Sequence, residues 1–140
     1  MRAFALLLLM CLAAAPARAE GETSIADAAA VEEIIRSQLD AFNRDDGAAA
    51  FGFASPGIQA KFQTVETFMA MVQTGYAPVY RSAAAEFGEL REVGGRLVQE
   101  VVVTGQDGTR ALAVHTLARQ PDGSLKIDGC TLHPLPELSV

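Results

Sequence analysis

The spacing of apolar residues changes once along this chain, at Tyr80, and that change limits the folds open to it. Before Tyr80, apolar side chains recur every three or four residues, the period of a helix with one buried face. After it they alternate, the period of a half-buried strand. Three glycine-containing dipeptides, Gly94-Gly95, Asp107-Gly108 and Asp122-Gly123, cut the alternating part at near-even intervals. Such dipeptides favour tight hairpins, and tight turns join antiparallel neighbours. The spacing predicts a four-stranded antiparallel meander over about Ala83–Arg91, Arg96–Thr104, Thr109–Arg119 and Ser124–His133. Pro134-Leu135-Pro136 ends the last strand, because proline has no N–H for a ladder. Helices in one block and strands in the next imply an α+β domain, with N-terminal helices packed on one face of the sheet.

The helical block has its own punctuation. Val31, Ile35, Leu39 and Phe42 put one apolar stripe on a helix from about Ala26 to Arg44, and Ile34 widens it. Glu32/Arg36 and Asp40/Arg44 are spaced for ion pairs on its outer face. Asp46 is placed to cap a short helix through Phe53 or Ala54, which Ser55-Pro56 then stops. Gly57 to Phe62 forms a further turn. Thr64 caps a helix over Val65–Thr74, with Gly75 as its stop. The segment Phe51–Tyr80 holds Phe51, Phe53, Phe62, Phe68, Tyr76 and Tyr80, and a segment so rich in large rings sets a core or lines a cavity.

Loops of two or four residues at the glycine turns would place Leu97, Val101, Val103, Leu112, Val114, Ala118, Leu125 and Ile127 on the helix side. The outer side would then carry Phe87, Val98, Val102, Leu117 and Leu132 among Glu89, Glu100, His115, Lys126, Asp128 and Cys130.

Residues 1–19 read as a secretory leader. Arg2 gives the positive start, Ala5–Ala15 the apolar stretch and Ala17-Arg18-Ala19 a small-x-small cleavage site before Glu20. The stretch is shorter than the roughly 20 residues of a membrane span. The expectation is an exported protein, periplasmic or secreted, with no membrane insertion after cleavage. Its parts are a lead-in and helix start over 20–30, one domain over 31–133 and a tail over 134–140. The chain carries 11 basic and 17 acidic side chains, and loss of Arg2 and Arg18 with the leader deepens the imbalance. A surface of that sign repels phosphate backbones, so no nucleic-acid partner is expected. Cleavage also removes Cys11, leaving Cys130 as a lone thiol that suits a small buried apolar residue.

Gln38-Leu39-Asp40-Ala41-Phe42 in the first helix resembles a motif of the domain of unknown function family 4864. So do Ala50-Phe51-Gly52-Phe53-Ala54-Ser55-Pro56 with Ile58, Phe62, Phe68, Met71-Val72 and Gly75-Tyr76, and the ending from Asp122-Gly123 to Gly129. The similarity spans about Val31 to Leu132, with Phe-x-Phe-Ala-Ser-Pro as its most specific part. Leu125-Lys126-Ile127 departs from it mildly, lacking an aromatic before the isoleucine. The resemblance implies a nuclear-transport-factor-2-like, cystatin-like cone, in which helices close one side of a curved sheet around a pocket. That scaffold serves isomerases, dehydratases, ligand binders and dimerisation modules, so fold alone does not choose a function.

Among chemical candidates, Glu100, His115, Cys130 and Asp128 come first. Two-residue turns would set Glu100 opposite His115 and His115 opposite Cys130, a carboxylate–imidazole and a thiol–imidazole pair. An ordinary cross-strand pair on the outer face accounts for the same spacing. No third ligand is spaced to join His115 and Cys130 around a metal, and His133 falls on the other face. No glycine-rich phosphate or dinucleotide motif occurs, so no cofactor is expected. The expected role is a non-catalytic module holding a small apolar ligand or a protein partner, with Phe51, Phe53, Phe62, Phe68, Met69, Tyr76 and Tyr80 as pocket residues. The alternative is a small isomerase or hydratase with a tyrosine donor and a base from Asp40 or Glu86; Gln38, Gln99 and Thr116 are the other polar groups expected at the pocket. A homodimer through the outer sheet face is a further expectation.

Overall fold

The computed structural model describes residues 23–136, so the expected leader over 1–19 and the last residues of the tail lie outside the described residues. Five helices precede four strands: α1 (Ile25–Asn43), α2 (Gly47–Gly52), α3 (Pro56–Phe62), α4 (Val65–Gly75), α5 (Ala77–Tyr80), β1 (Ser82–Val93), β2 (Arg96–Gly105), β3 (Arg110–Arg119) and β4 (Leu125–Pro134). The strands form one open antiparallel sheet in the order β1-β2-β3-β4. The α+β architecture is thus as the change of period implies. Among the described residues, no helix is long and apolar enough to cross a membrane.

Short polar side chains start four of the helices. Ser24, Asp46, Ser55 and Thr64 each accept from a backbone N–H three residues on, at the heads of α1, α2, α3 and α4. On α1 the stripe Val31, Ile35, Leu39 and Phe42 is buried, and Gln38 is buried with it. Glu32 and Arg36 pair at 2.8 Å on the outer face, while Arg44 turns to Asp46 at 3.9 Å rather than to Asp40. Helix α2 runs close to α4. A Cβ at Gly47 would come within 2.7 Å of Val65 Cγ1, so that approach needs glycine.

Phe-x-Phe-Ala-Ser-Pro lies along the edge of β4. Ile127 N donates to Phe53 O and Ser55 N donates to Ile127 O, each at 2.8 Å, making a parallel bridge between Ala54 and Ile127. The Ser55 hydroxyl, at the head of α3, donates to Asp128 Oδ1 at 2.7 Å, and Arg96 meets the same carboxylate at 2.6 Å. One short segment thus ties α2, α3, β4 and the start of β2 together.

The three turns differ, and the difference decides the faces. Gly94 and Gly95, at φ 56° and 78°, make the expected two-residue turn, with Val93 paired to Arg96. The other two loops hold three residues. Gly105 N donates to Thr109 O at 2.7 Å around Gln106-Asp107-Gly108, and Gln120 N donates to Ser124 O at 2.7 Å around Pro121-Asp122-Gly123. In both, the glycine takes the left-handed position after a type I turn (φ 84° and 87°).

An odd loop reverses the expected side of β3. Ala111, Ala113, His115 and Leu117 face the helices and are buried, whereas Leu112, Val114 and Ala118 face outward, contrary to the even-loop expectation. Glu100 therefore stands opposite Val114, and His115 is paired with Gln99. A bulge between Thr116 and Leu117, with Asp128 as the extra residue on β4, offsets the second odd loop. Hence Leu125 and Ile127 stay inward as expected, and Cys130 and Leu132 also turn to the helix side. Phe87 belongs there too: its ring packs against the core, with the Arg36 guanidinium of α1 4.5 Å from its centroid. Val98 and Val102 of the expected outer set remain on the outer face, now joined by Leu112, Val114 and Ala118.

Candidate functional site

A cavity of about 530 Å³ lies between the helices and the β3–β4 half of the sheet. Its walls are mainly apolar: Phe42 of α1, Phe62 of α3, Phe68, Met71 and Val72 of α4, and Ile127 of β4. Polar groups enter from several elements, with Gln38 on α1, Lys61 on α3, Tyr76 between α4 and α5, His115 on β3 and Asp128 and Cys130 on β4. Phe68 joins the rings together, with centroids 5.1 Å from Phe51, 5.8 Å from Phe62 and 6.0 Å from Phe42.

Of the residues the sequence marks for a pocket, Phe62, Phe68 and Tyr76 line this cavity. Phe51 packs behind Phe68, and Met69 is core, against the close approach of α2. Phe53 lies along a shallower groove between α1 and the β3–β4 turn, with Asp27, Arg119 and Lys126. Tyr80 points away: its hydroxyl donates to Asp45, and Arg81 holds the same carboxylate at 2.7 Å while stacking on the Tyr80 ring at 4.0 Å. These bonds to Tyr80 and Arg81 hold Asp45 below its usual carboxylate range, and the bond to Asp45 raises the Tyr80 phenol.

Tyr76 donates its hydroxyl to Cys130 O at 2.9 Å, and burial raises its pKa. No base stands beside it from the expected set: Asp40 and Glu86 are exposed and off the cavity, and Thr116 faces outward. Gln99 is inward and buried, but its amide nitrogen serves the carbonyls of Gly88, Glu89 and Glu100 beside the β1 bulge. Asp128, which spacing alone put outside, reaches the cavity through the bulge and is held by Ser55 and Arg96.

His115 and Cys130 face each other across β3 and β4 at the cavity wall. Burial lowers the imidazole pKa to about 4, against a weaker opposing contact with the Ala113 backbone. Burial pushes the half-buried thiol up to about 12. Both groups are therefore neutral near pH 7. Activated cysteines show the reverse, a thiol lowered by a neighbouring cation. Among the described residues, no three His, Cys, Asp or Glu side chains converge as a metal site.

The family model of a domain of unknown function, DUF4864, matches residues 24–140. The chain belongs to the DUF4864 family. No curated protein matches it. The match begins at Ser24, the cap of α1, so the cavity with all its lining residues falls within the DUF4864 domain.

Proposed function

We propose that this domain is a non-catalytic carrier or sensor that holds a small apolar molecule between its helices and sheet, as an exported module of the nuclear-transport-factor-2-like type. The cavity carries this reading: about 530 Å³ is within the range of small-molecule sites, and its walls are largely aromatic and aliphatic. The arrangement of helices on one face of an open four-stranded sheet supports the fold assignment. Against turnover stand the neutral thiol and imidazole and the exposed positions of Asp40 and Glu86. A general base must reach the proton it removes, and neither of those carboxylates does.

The test uses the neutral dye N-phenyl-1-naphthylamine, whose fluorescence rises in apolar surroundings. The expected result is saturable enhancement with the wild-type protein and weaker binding in Met71→Trp, where the indole takes up part of the cavity. Enhancement absent from the wild type, or equal in the folded Met71→Trp variant, would overturn the reading. Native mass spectrometry of gently purified protein then reports the mass of any natural occupant.

A further inference from the structure

Two side chains on the cavity wall, His115 and Gln38, leave hydrogen-bonding capacity unused among the described residues, His115 with a weak contact to the Ala113 backbone beside it. His115 is 1% exposed, and its Nδ1 has no hydrogen-bond partner among the described residues. Gln38, 5% exposed and on the same cavity wall, donates its amide nitrogen to Ala50 O at 3.1 Å, so its amide oxygen is the atom left to meet an occupant. Buried polar atoms in native folds are nearly always paired. Leaving one unpaired costs more than the bond itself contributes when made. His115 carries one such atom on β3, and Gln38 on α1 lines the same cavity from the opposite layer.

The rest of the wall narrows the chemistry. Asp128 is already held by Ser55 and Arg96, and the Tyr76 hydroxyl is given to Cys130 O. A purely apolar occupant would keep Nδ1 and the Gln38 oxygen unanswered. An anion would have to settle beside a neutral imidazole and the Asp128 carboxylate, with Lys61 as the one cation on the wall among the described residues. Lys61 is exposed, its Nζ 5.5 Å from the centre of the Phe62 ring.

We propose that the cavity selects an uncharged, largely apolar molecule bearing one hydroxyl- or amide-type group, which hydrogen-bonds to His115 Nδ1 and the Gln38 amide oxygen. This rests on the cavity being a binding site, as proposed above. A hydroxyl has one donor and can also accept, so with the Nδ1–H tautomer it accepts from the imidazole while donating to the amide oxygen, and with the other tautomer its single donor serves Nδ1. Recognition of this kind discriminates strongly, because an analogue without the polar group strands the buried atoms again.

Three probes of one ring system separate the terms: 1-naphthol, 1-methylnaphthalene and 1-naphthoate, each displacing N-phenyl-1-naphthylamine at pH 7.5. The wild type is expected to bind 1-naphthol about tenfold tighter than 1-methylnaphthalene, the equivalent of one charge-free hydrogen bond to a buried partner. It is expected to bind 1-naphthoate more weakly than either. In His115→Phe the first preference should vanish while 1-methylnaphthalene still binds. A readout that needs no variant is the imidazole Nδ1 nitrogen resonance of His115, which should move with 1-naphthol and stay with 1-methylnaphthalene. His133, on the outward side of β4, serves as the internal control. Wild-type preference for 1-methylnaphthalene or 1-naphthoate, an unmoved Nδ1 resonance, or a preference that survives His115→Phe would overturn the inference while leaving the cavity a binding site. Failure of the dye and of all three probes to bind would remove the binding site itself, and the inference with it.

Discussion

His115 stands opposite Cys130 on the helix side of the sheet, and burial moves their proton affinities in opposite directions, the imidazole down to about 4 and the thiol up to about 12. Each is kept uncharged by loss of water rather than by the other. The cavity wall is thereby polar without being charged at that place.

That burial makes stability depend on pH. The unfolded imidazole binds its proton near 6.5 and the folded one only near 4, so the unfolded chain takes up the proton first as pH falls. Stability from this group is complete above about 6.5 and is lost through the window down to about 4, by on the order of 3 kcal/mol. The urea midpoint should fall between pH 7 and pH 4.5. His115→Phe should flatten that fall, and His133→Gln should leave it in place. A wild-type midpoint that holds steady across the window would contradict the buried neutral imidazole.

The thiol gives a kinetic test. With its pKa near 12, Cys130 holds very little thiolate at pH 8. Alkylation by iodoacetamide, followed by mass spectrometry on the Cys130 peptide, should be slower in the folded protein than in guanidinium by on the order of a hundredfold or more. Equal rates would mean that the thiol is neither desolvated nor raised.

Ser55 has two jobs in one hydroxyl. It accepts from Ile58 N at 3.3 Å as the cap of α3 and donates to Asp128 at 2.7 Å. Ser55→Ala removes both and should destabilise the fold by about 2 kcal/mol. Urea denaturation should show a lower midpoint at unchanged slope. Ser55→Thr keeps the hydroxyl and should recover most of the loss.

The loop 106–108 fixes which side of β3 is buried, so its length matters more than its composition. Gly108→Ala, at φ 84°, should cost roughly 1–2 kcal/mol from left-handed strain alone. Deleting Gln106 restores an even loop and would turn Leu112 and Val114 inward and His115 outward. That variant should lose cooperative unfolding altogether, as followed by circular dichroism. A deletion variant that still unfolds cooperatively, with His115 protected, would show that register is set elsewhere.

These two odd loops also mark where sequence reasoning reaches its limit. Asp-Gly suits a two-residue mirror-image turn and equally the end of a three-residue loop, in which the glycine follows a type I turn. The dipeptide therefore locates the turn without fixing its parity, and parity decides the faces. Strand positions, the caps Asp46 and Thr64 and the stripe on α1 were legible, because each rests on local spacing. The opposition of His115 and Cys130 was legible too, although an odd loop and a bulge cancel to produce it; the side on which they stand was not. Helix α5 is one turn of Ala-Pro-Val-Tyr, too short for any period, with Pro78 in its first turn as the only signal. Phe62, Phe68 and Tyr76 of the aromatic segment line the cavity. Gln38 was legible as a polar group of the pocket and His115 as a chemical candidate, but the side of the sheet on which His115 stands shows only in the fold.

The two borders of the sheet meet solvent on different terms. Along β4, Ile127 gives both backbone groups to Phe53 and Ser55, and Cys130 gives its carbonyl to Tyr76, so the ladder is occupied from within the same chain. Along β1, cover among the described residues is confined to its start, where Asn43 of α1 donates to Ser82 O; the rest of the strand carries Glu86, Glu89, Arg91 and Glu92 and is broken by two register shifts. Charge and irregularity discourage a neighbouring chain from adding a strand there. Self-association by strand addition is therefore blocked mechanically on one side and electrostatically on the other, and only the second guard weakens as salt rises.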